Sequence, residues 1–169
     1  STKGSSAYAT FLGISNSNNL SSFTITTNDS VAYGAVLISS SANDLANFNI
    51  FTNGSNAHGA YLYLSSSNNL ANFNIFTNGS SAAGAFLEEF SSNSLANMSI
   101  STKGSYSYGA YLVSSNYNNL ANISITTNGS SAYGAYFSSS SFSNRIVDSL
   151  LNTTKVNAPK IYLSGDSVP

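Results

Sequence analysis

The sequence predicts an all-β chain wound as a parallel solenoid, a β-helix of six 25-residue coils over residues 1–150. Two observations support this fold. The chain aligns with itself without a gap when it is cut every 25 residues from Ser1, so no unit carries an insertion. Inside each unit, apolar residues alternate with polar ones between Asn-, Gly- and Ser-rich turns, whereas helical solenoid repeats run to about 33–47 residues with a 3.6-residue period.

The recurring positions define the expected strands. The third unit reads FTNGSNAHGAYLYLSSSNNLANFNI, and we predict one strand from Ala57 to Tyr63 and a second from Asn72 to Thr77. Stacked coils are about 4.8 Å apart, so six of them make a rod of about 29 Å. The residues expected to point inward in this unit are Ala60, Leu62, Leu70, Phe73 and Ile75. The isoleucine column is Ile25, Ile50, Ile75, Ile100 and Ile125, with Leu150 expected as its sixth member.

Two further columns have backbone roles. The glycines predict a tight bend or a close approach of two backbones. The asparagines predict a ladder of hydrogen-bonded amides at an internal or corner position, and a row of ligand-binding amides stays open as the alternative. The glycine column is Gly34, Gly59, Gly84, Gly109 and Gly134, and the asparagine column is Asn18, Asn43, Asn68, Asn93 and Asn118.

The sixth unit departs from the pattern at Arg145–Asp148. Residues 151–169 contain both prolines and are predicted to form a C-terminal cap or exit tail, because solenoids use atypical terminal repeats to protect open sheet edges. The first unit shows no comparable cap. We therefore expect copies to associate end to end or side by side.

The stretch GAYLYLSSSNNLANFNIFTNG resembles the repeats of the right-handed parallel β-helix superfamily, which includes pectin-lyase-like and NosD-type proteins. The resemblance covers residues 1–150. It implies a single-stranded right-handed solenoid, and it says little about function because the shared positions are core and corner positions.

Composition restricts the partners. Charged residues make up 7% of the chain and the net charge is −1, which gives no electrostatic basis for binding nucleic acid. No apolar run approaches the length needed for membrane insertion, and the absence of cysteine excludes disulfides and thiolate metal sites. An extracellular or cell-surface location is favoured by glycosylation motifs that share one repeat position: Asn28, Asn53, Asn78 and Asn128.

No catalytic, metal or cofactor site is predicted. The six acidic residues scatter over different repeat positions, and adjacent Glu88 and Glu89 are expected on opposite faces of a strand. The single histidine, His58, lies in a tyrosine column and is interpreted as a surface or packing residue.

Aromatic residues between the inward positions predict an outer stripe. Its binding candidates are Phe11, Tyr61, Phe86, Tyr111 and Tyr136, with Val36 in the same column. Such a stripe can stabilise the sheet alone, or it can contact a protein or a sugar.

The function expected from the sequence is a non-catalytic structural and adhesive element of an extracellular surface, filament or fibre assembly. Its expected partners are further copies, other surface proteins and glycans. A carbohydrate-binding or carbohydrate-active β-helix is the alternative. A remote alternative is ice binding through the threonine column.

Overall fold

The structure, a computed structural model, describes residues 6–89, 92–155 and 158–164. These residues form an all-β solenoid of about six turns built from parallel strands, as predicted. A typical coil contains three strands, one more than the two whose bounds were predicted from the sequence. The additional strand is only three residues long, at Asn69–Ala71 in the third coil.

The first sheet contains one strand from each coil and an additional strand at its C-terminal edge. Its seven parallel strands, in spatial order, are β1 (Tyr8–Gly13), β4 (Tyr33–Ile38), β7 (Ala60–Tyr63), β10 (Ala83–Glu88), β12 (Tyr108–Val113), β14 (Tyr133–Ser138) and β17 (Ile161–Leu163).

The second sheet consists of two parallel rows that merge in the fourth and fifth coils. The first row contains β2 (Asn19–Ser21), β5 (Asp44–Ala46), β8 (Asn69–Ala71) and, in the last coil, β15 (Arg145–Val147). The second row contains β3 (Thr24–Thr27), β6 (Asn49–Thr52), β9 (Asn74–Thr77) and β16 (Leu150–Thr153). The rows are joined through two nine-residue strands, β11 (Ser94–Thr102) and β13 (Asn119–Thr127).

The register is 25 residues between the earlier coils and 26 in the last one. Tyr108 pairs with Tyr133, but Tyr136 pairs with Tyr162 and Asn119 with Arg145. The predicted 25-residue spacing is therefore confirmed for the earlier coils, and the last coil contains one additional residue. The additional residue lies in the corner after β14, where Ser139 and Ser140 both have positive φ.

This insertion also corrects the isoleucine column. Leu151 pairs with Ile125 and is buried, whereas Leu150 points outward and is 65% exposed. The departure predicted at Arg145–Asp148 is a shift of one residue, since Ile146 pairs with Leu120 and continues the leucine column. The hydrogen-bonded strands extend beyond residue 150 to Leu163. The predicted cap or tail at 151–169 lies partly outside the described residues.

The core consists of stacked columns of identical or similar side chains. All five residues predicted to point inward in the third coil are buried, and so are their counterparts in neighbouring coils. Phe48 and Phe73 stack inside with ring centroids 4.8 Å apart. At the N-terminal edge Leu20 is partly buried and Phe23 is 40% exposed.

The predicted glycine column marks a close approach, as expected. A Cβ built on Gly59 would lie 2.6 Å from the Gly84 carbonyl oxygen and would also overlap the Ile75 side chain. Only glycine allows the first sheet to approach the isoleucine column this closely.

The predicted asparagine ladder is internal. The Asn68 side-chain carbonyl accepts both the main-chain N–H and the side-chain N–H of Asn43, each at 3.0 Å. The Asn68 Nδ2 donates to the Ser40 carbonyl at 2.9 Å and to Asn93 Oδ1 at 3.1 Å. Asn144 continues the ladder into the last coil by accepting from Asn118 at 2.9 Å. The ladder satisfies main-chain groups at a corner, which is a structural role.

Candidate functional site: an aromatic face on the first sheet

Two neighbouring columns of rings cover the outer side of the first sheet. One column contains the predicted stripe, and the other lies three residues earlier in each coil. Together they form the aromatic face: Tyr8, Phe11, Tyr33, His58, Tyr61, Phe86, Tyr108, Tyr111, Tyr133, Tyr136 and Tyr162.

The two columns share a face because strict alternation fails between them. In the fifth coil, Gly109 and Ala110 are consecutive and both buried, so Tyr108 and Tyr111 lie on the same side. Their rings are in contact with centroids 4.8 Å apart. Two consecutive inward residues fit because both are small. An uninterrupted period of two does not predict this second column, although the repeated Gly-Ala pair in the sequence is a signal for it.

The rings form one continuous set of contacts from β1 to β17. Centroid separations between neighbours in different strands include 5.6 Å for Tyr8 and Tyr33, 4.7 Å for Phe86 and Tyr111, and 5.1 Å for Tyr111 and Tyr136. Seven parallel strands extend this face over about 29 Å. Each ring contact of this kind contributes about 0.5–1.5 kcal/mol beyond the burial of its area.

Ring orientation divides the aromatic face into two parts. From Phe86 to Tyr162 most neighbours are stacked, with interplanar angles of 8° for Phe86 and Tyr111 and 9° for Tyr133 and Tyr162. Stacked rings cover one another's faces and present their edges outward. Around His58 the pattern changes, because the ring plane of Tyr33 makes an angle of 66° with that of Tyr61, and His58 meets Phe86 at 68°.

Four tyrosines of the aromatic face have raised pKa values. Burial raises the pKa of the phenols of Tyr33, Tyr108 and Tyr111. Burial, together with the hydrogen bond that the Tyr61 hydroxyl donates to Glu88 Oε2 at 2.7 Å, raises the pKa of Tyr61. All four remain phenols at neutral pH.

His58 is a packing residue, one of the two roles predicted for it. Burial lowers its pKa to about 4. Its Nδ1 accepts the main-chain N–H of Ala83 at 2.9 Å, so that nitrogen is unprotonated in the fold. A neutral imidazole thus takes the place of a tyrosine ring between Tyr33 and Phe86.

The predicted stripe lies on the outer face, but its members differ in exposure. Phe11 is 51% exposed at the N-terminal edge, while Tyr61, Phe86, Tyr111 and Tyr136 are half-buried against their neighbours. Val36 was predicted in the same outward column and is fully buried. Its short side chain lies in register between Phe11 and Tyr61, where the larger rings cover it.

The asparagines of the four aligned glycosylation motifs lie at exposed corners. Asn53 Nδ2 donates to Asn28 Oδ1 at 2.8 Å, and Asn78 Nδ2 donates to Asn53 Oδ1 at 2.7 Å. Asn128 Oδ1 accepts from the Thr154 hydroxyl at 2.7 Å. Their exposure fulfils the geometric requirement for glycosylation, and whether they carry glycans stays a prediction.

The threonine column that suggested ice binding is buried. Its described members are Thr27, Thr52, Thr77, Thr102 and Thr127. Thr52 Oγ1 donates to the Ala57 carbonyl at 2.8 Å across a corner. Hydroxyls in this position cannot meet an ice surface, so this column no longer supports the remote alternative.

The acidic side chains do not assemble into a recognisable centre in the described part of the chain. Among those residues, no group of three or more His, Cys, Asp or Glu is placed to hold a metal ion. Glu88 lies on the first sheet, and Asp44 lies on the second sheet, where its Oδ1 accepts from Asn69 of the next coil at 2.9 Å. Asp166 lies outside the described residues. No helix in the described ranges has the length and apolar character to cross a membrane.

Comparison with known proteins gives no assignment. No protein-family model matches this sequence, and no curated protein matches it significantly.

Proposed function

We propose that this chain is a non-catalytic structural and adhesive β-solenoid of an extracellular surface, filament or fibre assembly, and that the aromatic face is its contact surface. The observation that carries this proposal is the continuity of eleven rings across seven strands, ten of which are half-buried or exposed while His58 is buried among them. An aromatic patch of this extent is typical of an interaction site rather than of a solvated monomer surface.

The chemistry of the aromatic face favours association with a similarly uncharged surface. The carboxylate of Glu88 contacts this face and already accepts a hydrogen bond from the Tyr61 hydroxyl. Half-buried rings held by their neighbours lose little conformational entropy when a partner covers them. We expect the partner to be a further copy of the chain or another surface protein. The exposed glycosylation motifs support the extracellular setting.

A carbohydrate ligand is the second candidate. It is favoured by the region around His58, where the rings of Tyr33 and Tyr61 are tilted against each other. Sugars stack on the faces of aromatic rings. From Phe86 to Tyr162 most ring faces are covered by the neighbouring ring, so they are not free to bind a sugar. Around Tyr33 and Tyr61 the angle of 66° turns one ring away from stacking, and phenolic hydroxyls lie beside it. A glycan would therefore bind in the second and third coils.

We also propose that the chain belongs to the right-handed parallel β-helix superfamily of pectin-lyase-like and NosD-type proteins. The parallel solenoid of 25-residue coils and the internal asparagine ladder support this. Right-handed winding is part of the same proposal.

The proposed contact surface can be tested by removing rings from the stacked region. A variant with Phe86→Ser, Tyr111→Ser and Tyr136→Ser is compared with a control carrying Tyr106→Ser and Tyr117→Ser, two exposed tyrosines away from the aromatic face. Sedimentation velocity measures self-association, and binding to insoluble cellulose and chitin measures sugar contact. We expect the first variant to weaken association about tenfold or more, the loss of one interface hot spot, and the control to match the parent chain.

Circular dichroism and thermal unfolding establish that both variants keep the fold. A parent chain that stays monomeric at high concentration and binds neither polysaccharide would overturn the proposal. Equal self-association of the parent and the ring variant would show that the contact surface lies elsewhere.

A further inference from the structure

Five tyrosines at the C-terminal end of the aromatic face form a dense cluster. We define the tyrosine cluster as Tyr108, Tyr111, Tyr133, Tyr136 and Tyr162. Seven ring contacts join these five side chains, with centroids 4.8–5.5 Å apart. The cluster spans three strands, β12, β14 and β17, that belong to successive coils.

The composition of the chain directs oxidation to tyrosine. The sequence contains no cysteine and no tryptophan, and its single methionine, Met98, is 2% exposed in the core. The side chains that usually react first with one-electron oxidants are thus absent or buried. The phenols of the cluster are half-buried or exposed and therefore reachable from solvent.

We propose that the tyrosine cluster is a site of oxidative cross-linking, at which a peroxidase with hydrogen peroxide joins two tyrosines of neighbouring strands into dityrosine. Each of two phenols gives one electron and one proton to the oxidant and becomes a phenoxyl radical. The radicals couple through ring carbons ortho to oxygen, and the two hydrogens on those carbons move to the oxygens to restore both phenols. Two tyrosines and one hydrogen peroxide give one dityrosine and two waters.

The geometry of the cluster favours coupling inside one molecule. Tyr133 has contacts to Tyr108 at 5.5 Å and to Tyr162 at 5.0 Å, with interplanar angles of 16° and 9°. A radical formed on any member has at least two tyrosine neighbours within one ring contact. The three tyrosines of the aromatic face nearer the N-terminal end have fewer contacts of this kind, because His58 and Phe86 interrupt their columns: Tyr8, Tyr33 and Tyr61.

A cross-link between strands of different coils would fasten the end of the solenoid. Bonding Tyr133 or Tyr136 to Tyr162 ties β17, the three-residue strand at the C-terminal edge, to the coil beneath it. Bonding Tyr108 to Tyr133 ties the fifth and sixth coils. Such bonds restrict the unfolded chain as other covalent loop closures do.

The test uses the full chain at low concentration with peroxidase and hydrogen peroxide. Dityrosine fluorescence, intact mass and peptide mapping are measured for the parent and two variants. Tyr108→Phe, Tyr133→Phe and Tyr136→Phe together remove all seven tyrosine–tyrosine contacts of the cluster while keeping the rings packed. The control variant carries Tyr106→Phe and Tyr117→Phe. These two tyrosines lie outside the cluster and are more exposed than its members, with 59% and 69% of their surface exposed.

We expect the parent to form a monomeric product lighter by two hydrogens per bond, with cross-linked peptides mapped within the cluster and a raised unfolding temperature. The triple variant should lose most of the dityrosine yield and the temperature shift, and the control should keep both. Cross-links that map chiefly to Tyr106 or Tyr117, products that are chiefly dimers, or an undiminished yield in the triple variant would each overturn the proposal.

Discussion

Two of the asparagine columns in the solenoid have the same spacing and opposite surroundings. The internal ladder through Asn43, Asn68 and Asn93 is buried, whereas the corner column through Asn28, Asn53 and Asn78 is exposed. Their amide–amide hydrogen bonds are similar in length, 3.0 Å between Asn43 and Asn68 and 2.8 Å between Asn53 and Asn28. The difference is that the internal amides also bond main-chain groups. Repetition and bond length therefore do not reveal which column stabilises the fold.

Substitution in the internal ladder should have the largest effect. Asn68→Ala leaves the main-chain N–H and side-chain N–H of Asn43 and the Ser40 carbonyl without their side-chain partner in a buried corner. We expect a loss of about 3–4 kcal/mol in the free energy of unfolding, near 1 kcal/mol for each bond lost. Chemical denaturation of the variant beside the parent measures it.

The matched control is Asn53→Ala in the exposed column, for which we expect a loss below about 0.5 kcal/mol because water replaces the amide. Equal losses in the two variants would contradict the distinction between the columns.

The pH dependence of stability should show the effect of burial on a second polar side chain, His58, which lies in a stacked column of rings. Its pKa is about 4 in the fold against 6.5 in the unfolded chain. Between these values the unfolded chain binds a proton that the folded chain does not, so stability is complete above pH 6.5 and falls as the pH decreases to about 4. The expected loss over this window is about 3 kcal/mol.

Denaturation at several pH values tests this expectation against His58→Tyr, which restores the residue found at this position in four other coils. As the pH falls from 6.5 to about 4, the stability of the variant relative to the parent should rise by about that amount, because only the parent loses this contribution. A pH-independent difference would show that His58 ionises alike in both states.

In the exposed column we expect the positions to differ in how often they carry a glycan, with little effect on the stability of the fold. Asn53 is flanked by Asn28 and Asn78 in adjacent coils, while Lys103 occupies the corner position in the coil before Asn128. Neighbouring glycans about 4.8 Å apart would crowd each other. Expression in a glycosylating host, followed by mass spectrometry, should give higher occupancy at Asn128 than at Asn53. Equal occupancy would show that crowding is unimportant, and bare peptides throughout would remove this support for an extracellular location.

The sequence predicted the solenoid and its core because each coil repeats the one below. Leu70, Phe73 and Ile75 were identifiable as inward residues from their columns alone, and all are buried. The internal position of the asparagine ladder was one of the two positions predicted from the capacity of stacked asparagines to hydrogen-bond along a column. These features can be predicted because the same local pattern of apolar and polar residues recurs in every coil.

The additional residue in the last coil was hidden for a physical reason. Ser138 to Ser141 are identical, and Leu150 and Leu151 are adjacent leucines, so either alignment places a leucine in the isoleucine column. Only the strand register decides between them.

The aromatic face was predicted in part. The outward column was found, but its union with the tyrosines three residues earlier depends on Gly109 and Ala110 both facing inward, which a simple alternation excludes. Exposure of the individual rings depends on the size of their neighbours, as Val36 shows.

The 26-residue coil shows how a gene for such a protein can change length. One residue more in the corner at Ser139 and Ser140 leaves the flanking strands in register with the coil beneath. Duplicating or deleting one repeat unit of the gene would therefore lengthen or shorten the rod by one step of about 4.8 Å without requiring new packing. Small errors at the junction would be absorbed in a corner. Rod length is thus a trait that recombination can adjust in discrete increments.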